Sequence, residues 1–463
     1  MAVQELDTDT SRRDYEKLAF NGYYTRDIPP PDPLITETGP GTPMGEYFRR
    51  FWVPVCLSEE LTDLPKAIRI LSEDLVAFRD KSGRVGVLHR HCSHRGTSLE
   101  YGIVSERGIR CCYHGWLFDV DGTILETPGE PPDSKLKDSF YHGPYPAFEM
   151  HGLVHAYMGP PELKPDKPHL DFFEMPGVQF APFAIPYKNN WLNSHENNVD
   201  PVHSVFLHER YALHFEHQAF AVMPNLKWQL TDGGDGMMYM SVRRLDEEWI
   251  WARILHCRMP FESYVPSVWD LPRPTYYQPG FYLRRMVPVD DRNSIFFGWR
   301  AHGTDRFEGG DPRENGWNLI DMGGQVEKPT YEEKQREAGD WEAQGSVWYG
   351  VPRPDIEHPG ATDGGVMMMR RALRNIVEGN VPAAWPKPEG SDGGKPAPTK
   401  ILSQDSVLNI KERPDSDEDW ELLGTVGEKI TEVVIEGSGK FVGPERDDWI
   451  IERIKKIEAE YRG

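Results

Sequence analysis

The sequence lacks the features that mark membrane proteins, secreted proteins and nucleic-acid-binding proteins. No apolar run approaches the roughly 20 residues that a transmembrane helix needs, and the segment MAVQELDTDTSRR has no apolar signal core. Cysteine is scarce, with 5 residues in 463, which excludes a disulfide framework. Basic residues number 52 against 74 acidic ones, and the net charge of -22 disfavours nucleic acid and anionic membrane as partners. We therefore expect a cytoplasmic protein.

Length and composition indicate a globular protein with more than one domain. Hydrophobic residues make up 38% and aromatic residues 11% of the chain, enough for a substantial core. Polar and Pro-rich stretches divide it. We predict an N-terminal arm over 1–44, a β-rich domain over 45–160, an α+β domain over 161–380, a linker over 381–400 and a C-terminal extension over 401–463.

Local patterns predict individual strands and helices. AIRILSEDLVAFRD and RVGVLHRHC are predicted to be two strands of one hairpin, and a second hairpin turns at Asp121–Gly122. Helices are predicted near 191–212 and 363–378. We interpret the last segment as a helical strut packed on the preceding domain; a docking element for another subunit or a reductase is the alternative. Its predicted apolar face consists of Trp449, Ile450, Ile454, Ile457 and Tyr461.

Two short loops combine cysteine with histidine. Cys92 and His94 lie in HRHCSHRG, and Cys111 and His114 lie in CCYHGW. Two thiolates and two imidazoles suit either a structural zinc ion or a [2Fe-2S] cluster with Cys₂ on one iron and His₂ on the other. Because each loop pairs a cysteine with a histidine, each can give one ligand to each iron, whereas zinc modules more often pair like residues. The spacing therefore favours the cluster.

Other residues of these loops are predicted to have structural roles. Gly96 and Gly115 follow the ligand pairs, where the backbone must approach a metal closely. Cys112 is one residue too close to the following histidine to match the ligand spacing, so we predict a packed thiol. His89 and His91 also miss that spacing, and we expect them to be strand residues or supports of the ligand loop.

A second group of polar residues lies in WLNSHENNVDPVHSVFLHERY. His203 and His208 are five positions apart, about 140° on an ideal helix, so both can face one ion only if the helix ends, bends or bulges between them. Asp200 and Pro201 could start a new helical segment there. Two imidazoles with one carboxylate are the ligands of O₂-activating non-haem iron(II). From spacing alone, Asp200 is the nearest candidate for that carboxylate.

Taken together, these motifs resemble those of Rieske non-haem iron oxygenases. Cys-x-His followed by Cys-x-x-His-Gly-Trp is similar to the Rieske motif, and Asn-x-x-Asp-x-x-His-x₄-His, from Asn197 to His208, is similar to the catalytic motif. The segment GTPMGEYFRRFWVPV, residues 41–55, resembles the lead-in to the Rieske domain in the phthalate-dioxygenase-like branch. The resemblance implies an α+β fold with an N-terminal Rieske domain and a Bet v 1/START-like catalytic domain, in which helices cover an antiparallel sheet.

The resemblance also implies roles for particular residues. Asn197 and Asp200 are expected to be catalytic, with Asp200 linking a cluster histidine of one subunit to an iron histidine of the next. The metal carboxylate is then expected far downstream in EHPGATDGGVMMMRRAL, at Asp363. Asp355 and Glu357 are the reserves, because Pro359 departs from the family pattern. An ordinary helix-start carboxylate is the alternative interpretation of Asp363.

Cofactors and partners follow from the same resemblance. We expect a Rieske [2Fe-2S] cluster, a mononuclear Fe(II), and electrons from NADH through a separate flavin/iron-sulfur reductase, with or without a ferredoxin. The subunits are expected to form a homotrimer or homohexamer. The expected reaction is hydroxylation or O-demethylation of an aromatic acid, whose carboxylate needs a buried cation. The candidates on predicted strands are Arg243, Arg244, Arg253 and Arg258.

Several alternatives stay open at this level. Ring cis-dihydroxylation and O-demethylation are not distinguished, and a non-aromatic substrate such as a quaternary amine is a further possibility. A protein of a different class, a Rieske electron carrier without the second iron, would need only the two Cys/His loops.

Overall fold

The computed structural model describes most of the chain. The described residues are 15–24, 28–208, 218–266, 274–304, 307, 326–391 and 398–463. Parts of three predicted segments lie outside them: residues 1–14 and 25–27 of the arm, 209–212 of the first predicted helix, and 392–397 of the linker.

Eleven short strands form the N-terminal domain. They build three antiparallel sheets with the strand orders β1-β11-β10, β2-β3-β4-β9 and β5-β6-β7-β8. Their bounds are Trp52–Leu57 (β1), Lys66–Ile70 (β2), Glu73–Arg79 (β3), Val85–His89 (β4), Ile103–Val104 (β5), Ile109–Arg110 (β6), Leu117–Phe118 (β7), Ile124–Glu126 (β8), Pro144–Tyr145 (β9), Ala147–Met150 (β10) and Leu153–Tyr157 (β11).

The predicted strand AIRILSEDLVAFRD is in fact two strands, β2 and β3. Leu71 and Ser72 between them have positive φ values of 49° and 64°, which reverse the chain in a tight turn. The backbone N–H groups of this turn donate to the carbonyl oxygens of Pro288 and Val289, at 2.9 Å each. The turn therefore joins the N-terminal domain to the second domain, to which residues 288 and 289 belong.

Two short helices precede the first sheet, α1 (Pro33–Thr36) and α2 (Pro43–Phe48). The buried Arg49 that ends α2 forms an ion pair with Glu73 of β3 at 2.8 Å. Burial acts to raise the pKa of Glu73, but hydrogen bonds from His89, Tyr145 and Arg49 outweigh it and lower that pKa to about 2. Arg49 also donates to the Thr38 carbonyl at 3.2 Å and thus holds the end of the predicted arm against the first domain.

One large antiparallel sheet forms the second domain, in the order β12-β18-β17-β16-β15-β14-β13 with β19 pairing to β15 and β17. β16 and β19 lie end to end between β15 and β17, because each of them pairs with both of those strands. The bounds are Gln179–Tyr187 (β12), Asn225–Leu230 (β13), Gly236–Arg244 (β14), Trp249–Arg258 (β15), Glu262–Pro266 (β16), Thr275–Asp290 (β17), Asn293–His302 (β18) and Gln404–Asn409 (β19).

The C-terminal segment is therefore integrated into the catalytic domain and does not form a separate extension over 401–463. Its strand β19 completes the sheet, and pairing of that kind joins residues some 150 positions apart, which a local sequence pattern does not specify. The helices that follow are α7 (Ser416–Lys440) and α8 (Gly443–Tyr461). Ile450, Ile454 and Ile457 of α8 are buried against the sheet, as predicted for its apolar face.

The two faces of this sheet are covered differently. Met238, Met240 and Val242 of β14 pack with the C-terminal helices in one apolar cluster. Tyr239 and Arg243 of the same strand line a cavity on the opposite face, as alternation along a strand requires. The remaining helices are α3 (Trp191–Glu196), α4 (Tyr331–Arg336), α5 (Asp340–Ser346) and α6 (Gly364–Val377), and Asp340 of α5 lines the cavity.

This arrangement confirms the predicted fold class, a β-rich domain followed by helices on an antiparallel sheet. It also confirms the helix predicted near 363–378, which is α6. Among the described residues, no helix is long and apolar enough to cross a membrane.

Candidate functional site

The two Cys/His loops of the first domain have the same backbone structure. One loop follows β4 and the other joins β6 to β7. In the first, the N–H of Cys92 donates to the Thr97 carbonyl at 2.9 Å; in the second, the N–H of Cys111 donates to the Trp116 carbonyl at 2.8 Å. Gly96 and Gly115 have positive φ values of 78° and 74° at corresponding positions.

Four potential ligands converge at the tips of these loops. Cys92 and Cys111 are buried and interact through their thiols. The rings of His94 and His114 lie with centroids 4.6 Å apart. Burial raises the pKa of Cys92 to about 11, although backbone N–H groups of His94 and Arg95 favour the thiolate. A paired set of two thiols and two imidazoles, with N–H groups directed at sulfur, fits a [2Fe-2S] cluster.

Packing holds these ligands in place. The His94 ring stacks on Trp116 at 4.7 Å and an interplanar angle of 7°. His94 Nδ1 is buried and has no hydrogen-bond partner in the described part of the chain, as expected of an atom reserved for a metal. His91 Nδ1 contacts the Gly96 carbonyl at 3.0 Å and supports the loop, and His89 ends β4, as predicted. Cys112 is exposed, so the prediction of a packed thiol is wrong.

The second group lies where the chain leaves α3. A 3₁₀ turn, Asn197–Val199, ends at Asp200, whose Oδ1 accepts from the N–H groups of Val202 and His203 at 3.0 and 3.4 Å. A π-helical turn, Ser204–His208, follows. Because π-helical bonds join residues five apart, this turn supplies the bulge that the spacing of His203 and His208 requires.

Three ligand atoms converge beside this turn. His203 Nε2 and His208 Nε2 are 3.2 Å apart. Asp340 Oδ1 lies 3.8 Å from His203 Nε2, and Asp340 Oδ2 lies 3.7 Å from His208 Nε2. Both histidine contacts are made by an almost fully buried carboxylate. Among the described residues, these three form the one group of three or more His, Cys, Asp or Glu side chains whose ligand atoms all lie within 4.8 Å of one another.

The carboxylate that lies with the two histidines is Asp340 and not the predicted Asp363. Asp363 Oδ2 accepts from the Gly360 N–H at 2.6 Å at the start of α6, which is the helix-start role given above as the alternative. The two reserve candidates for the metal carboxylate also lie outside this group: Asp355 is exposed, and Glu357 pairs with Arg370. Asp340 opens α5, which Asn193 of α3 holds by donating to the Gln344 carbonyl at 3.0 Å.

Hydrogen bonds orient the three side chains. His203 Nδ1 contacts the Asp200 carbonyl, so this nitrogen carries the proton and Nε2 presents its lone pair. The Asn197 amide donates to Asp340 Oδ1 at 3.3 Å. Burial lowers the pKa of His208 to about 4, which keeps its imidazole neutral. Two imidazoles and a carboxylate fit a mononuclear iron(II) ion.

A cavity of about 90 Å³ opens beside this group. The predicted Arg243 and Arg253 line it, as does Arg284, which is not among the arginines predicted from the sequence. Arg244 lies outside the cavity and pairs with Asp419 of α7, and Arg258 pairs with Asp235 and Glu262. Arg244 and Arg258 are therefore not among the residues that line this cavity. Arg284 had the same signal as the others, a basic residue within a strand pattern.

These two groups define a class of protein: a chain with a Rieske-type cluster site in a β-rich domain and a separate two-histidine, one-carboxylate metal site on a sheet. Comparison with known proteins agrees with that class. The Rieske [2Fe-2S] domain family matches residues 51–146.

Two curated relatives cover most of the chain. The oxygenase subunit of tert-butanol monooxygenase / tert-amyl alcohol desaturase from Aquincola tertiaricarbonis is 42% identical over 466 residues, 95% of this chain and 97% of the relative. The α subunit of phenoxybenzoate dioxygenase from Ectopseudomonas oleovorans is 37% identical over 404 residues, 82% of this chain and 90% of the relative.

A solved structure has the same fold. Dicamba monooxygenase bound to dicamba matches with a TM-score of 0.55 and 17% identity, over 72% of this chain and 98% of that one. The chain belongs to the Rieske non-haem iron oxygenases, in the branch that contains phthalate dioxygenase. It is the oxygenase component of a multicomponent system, with a Rieske cluster, a mononuclear iron and a reductase or ferredoxin partner that supplies electrons.

Proposed function

We propose that Cys92, His94, Cys111 and His114 ligate the cluster, and that His203, His208 and Asp340 hold the catalytic iron. The observation that carries the second assignment is the convergence of three ligand atoms within 4.8 Å at a buried site. When bound, the cluster supplies single electrons and the iron supplies open coordination positions for O₂. The chain's own residues supply orientation, insulation from water and the link between the sites.

Asp200 is the proposed link. Its carbonyl fixes the His203 ring, and its carboxylate Oδ2 lies 3.9 Å from His203 Nδ1. The Asp200 side chain stays 28% exposed, so it can accept from a group on another molecule. We infer that this group is a cluster histidine of a neighbouring subunit in a homotrimer or homohexamer, as the family resemblance implies. Mass measurement in solution tests the oligomer.

Asn197 and the cavity wall have a different role. The Asn197 amide reaches both Asp340 Oδ1 at 3.3 Å and His203 Nε2 at 3.4 Å, so it limits how far these two side chains can separate. Phe220, Leu255 and Val265 line the same cavity and exclude water from the place where O₂ would react.

The proposed substrate is an aromatic acid, hydroxylated or O-demethylated with O₂ and electrons from NADH through a flavin/iron-sulfur reductase. Two things support it. Cationic side chains line the cavity beside the proposed iron site. Relatives are named for phenoxybenzoate, 3-chlorobenzoate and dehydrodivanillate. A tertiary alcohol is the second candidate, because the relative that is 42% identical is named for tert-butanol. We place the protein in the cytoplasm, where the three cysteines outside the proposed cluster, Cys56, Cys112 and Cys257, stay reduced.

Iron analysis and a substrate screen test this function. Anaerobically purified protein is expected to hold about three irons per chain, two in the cluster and one mononuclear. With NADH and a reductase, aromatic acids should stimulate O₂ consumption, and formaldehyde release identifies demethylation. A preparation with only two irons per chain and an intact Rieske spectrum contradicts the oxygenase assignment and indicates an electron carrier.

A further inference from the structure

The cavity beside the proposed iron site has cationic side chains that carboxylates and hydrogen bonds of the protein do not fully compensate. Three arginines line it, Arg243, Arg253 and Arg284. A buried guanidinium is costly unless a carboxylate or a full set of hydrogen bonds compensates it. The partners of each arginine therefore show which of them is available to a ligand.

Arg253 is already neutralised. Its Nε and Nη2 donate to the two carboxylate oxygens of Asp405 in β19, both at 3.0 Å, and Nη2 also donates to the Pro266 carbonyl at 2.9 Å. Asp405 is fully buried and also accepts from Trp251 Nε1 at 3.0 Å. This two-point contact is a structural ion pair inside the sheet.

Arg243 is used to hold the backbone near the histidines. Its Nη2 donates to the Pro201 carbonyl at 3.3 Å and to Ser204 Oγ at 3.1 Å, and its Nε donates to the Val222 carbonyl at 3.1 Å. Nη1 donates to Ser241 Oγ at 3.1 Å. These bonds occupy four of the five N–H groups that a guanidinium offers.

Arg284 is different, because little of its hydrogen-bonding capacity is used. It lies on β17, and its Nη2 donates to Asn198 Oδ1. One face of the guanidinium lies over the Phe296 ring, 5.1 Å from the centroid. Its Nε is buried and makes no hydrogen bond, and no carboxylate pairs with it in the described ranges. The acid that acts on it electrostatically is Asp340, which would be engaged by iron.

We propose that Arg284 is the anchor for a substrate carboxylate and sets the preference of this oxygenase for anionic substrates. The inference rests on the proposed function and extends it to a residue. Asn198 positions the guanidinium, because its own amide donates to the Ser194 and His195 carbonyls at 3.1 Å and leaves its oxygen for Arg284. A carboxylate held by Arg284 would bring the attached ring into the cavity that also contains His203, His208 and Asp340.

Matched acids and amides test the proposal by binding, independently of turnover. Dissociation constants for benzoate, benzamide, phenoxybenzoate, its amide and tert-butanol are measured by anaerobic calorimetry on the holoenzyme. Arg284→Gln is expected to weaken binding of both acids by roughly 10- to 100-fold and of the amides by about threefold or less. Arg284→Lys keeps the charge without the planar fork and should fall between. Arg292→Gln removes an exposed positive charge on the next turn and should leave every constant unchanged.

Several results would overturn the proposal. For Arg284→Gln they are an unchanged affinity for acids, an equal loss of affinity for acids and amides, or a loss of iron. For the wild type they are an affinity for amides or tert-butanol that equals the affinity for acids, or no binding of acids at millimolar concentration. Iron content and the Rieske spectrum of the same wild-type preparation report separately on the proposed function. A wild type without mononuclear iron contradicts that function, whereas three irons with no selective effect of Arg284→Gln contradicts only the anchor.

Discussion

Replacing Asp340 by alanine should remove the mononuclear iron and leave the cluster in place. Asp340 is the proposed third protein ligand, and its carboxylate oxygens lie 3.8 and 3.7 Å from the two histidine nitrogens. Loss of a residue that only orients a ligand already costs about 10- to 100-fold in metal affinity, so loss of the ligand itself should cost at least about 100-fold. Iron content should fall from about three to about two per chain.

The fold should survive this substitution. Asp340→Ala leaves the Asn197 amide without its acceptor at 3.3 Å, which costs about 1–3 kcal/mol, within the stability of an ordinary domain. The assay combines iron quantification after dialysis, the visible and electron paramagnetic resonance spectra of the cluster, and thermal unfolding. A change in the cluster spectrum would indicate a general structural effect.

Asp363→Ala is the matched control. Its carboxylate caps Gly360, so the variant should lose about 1 kcal/mol of stability and no iron. If Asp363→Ala loses one iron while Asp340→Ala keeps three, the argument from convergent ligand atoms is refuted and the original assignment of Asp363 is restored.

Three further substitutions test other parts of the structure. Asp200→Asn should keep both metals and lower turnover by about 10- to 100-fold, measured as NADH-coupled O₂ consumption; normal turnover would exclude the link between sites. Glu73→Gln should lower the free energy of unfolding by roughly 2 kcal/mol above about pH 4.5, with solvent screening considered. Because the pKa of Glu73 in the folded protein is about 2, the stability difference between wild type and variant should shrink as the pH falls toward that value. A difference in thermal unfolding that does not change with pH would contradict the role of the ionised carboxylate. Asp405→Asn should cost about 3–5 kcal/mol by leaving the buried Arg253 without its partner, and a smaller loss than about 1 kcal/mol would show that the pair is dispensable.

The parts of the site that were predictable from sequence are local. The cluster loops place their cysteine and histidine within three positions of each other, and each loop closes on itself by a backbone bond from the cysteine N–H. His203 likewise lies directly before the π-helical turn that ends at His208, and the spacing of the two histidines alone required a bulge. Chemistry and short-range geometry are sufficient for such groups.

Asp340 was not predictable in this way, because its position depends on how distant segments pack. It starts a seven-residue helix in AGDWEAQ, where an acidic residue after glycine is common and carries no metal signal. Long-range contacts bring it to the histidines, among them the hydrogen bond from Asn193 to the Gln344 carbonyl, 151 positions apart. The same limit applies to β19, whose pairing partners are fixed by the completed sheet and not by its own alternation.

The position of β19 has a consequence for how the protein is made. Strands β1 to β11 can pair as soon as the first third of the chain has been synthesised, but the gap between β15 and β17 stays half open until residues 404–409 have emerged. During that interval, two central strands present unpaired backbone groups to other nascent chains, a situation that favours aggregation. A premature stop between β17 and β19 should therefore yield insoluble protein that still contains a competent cluster domain.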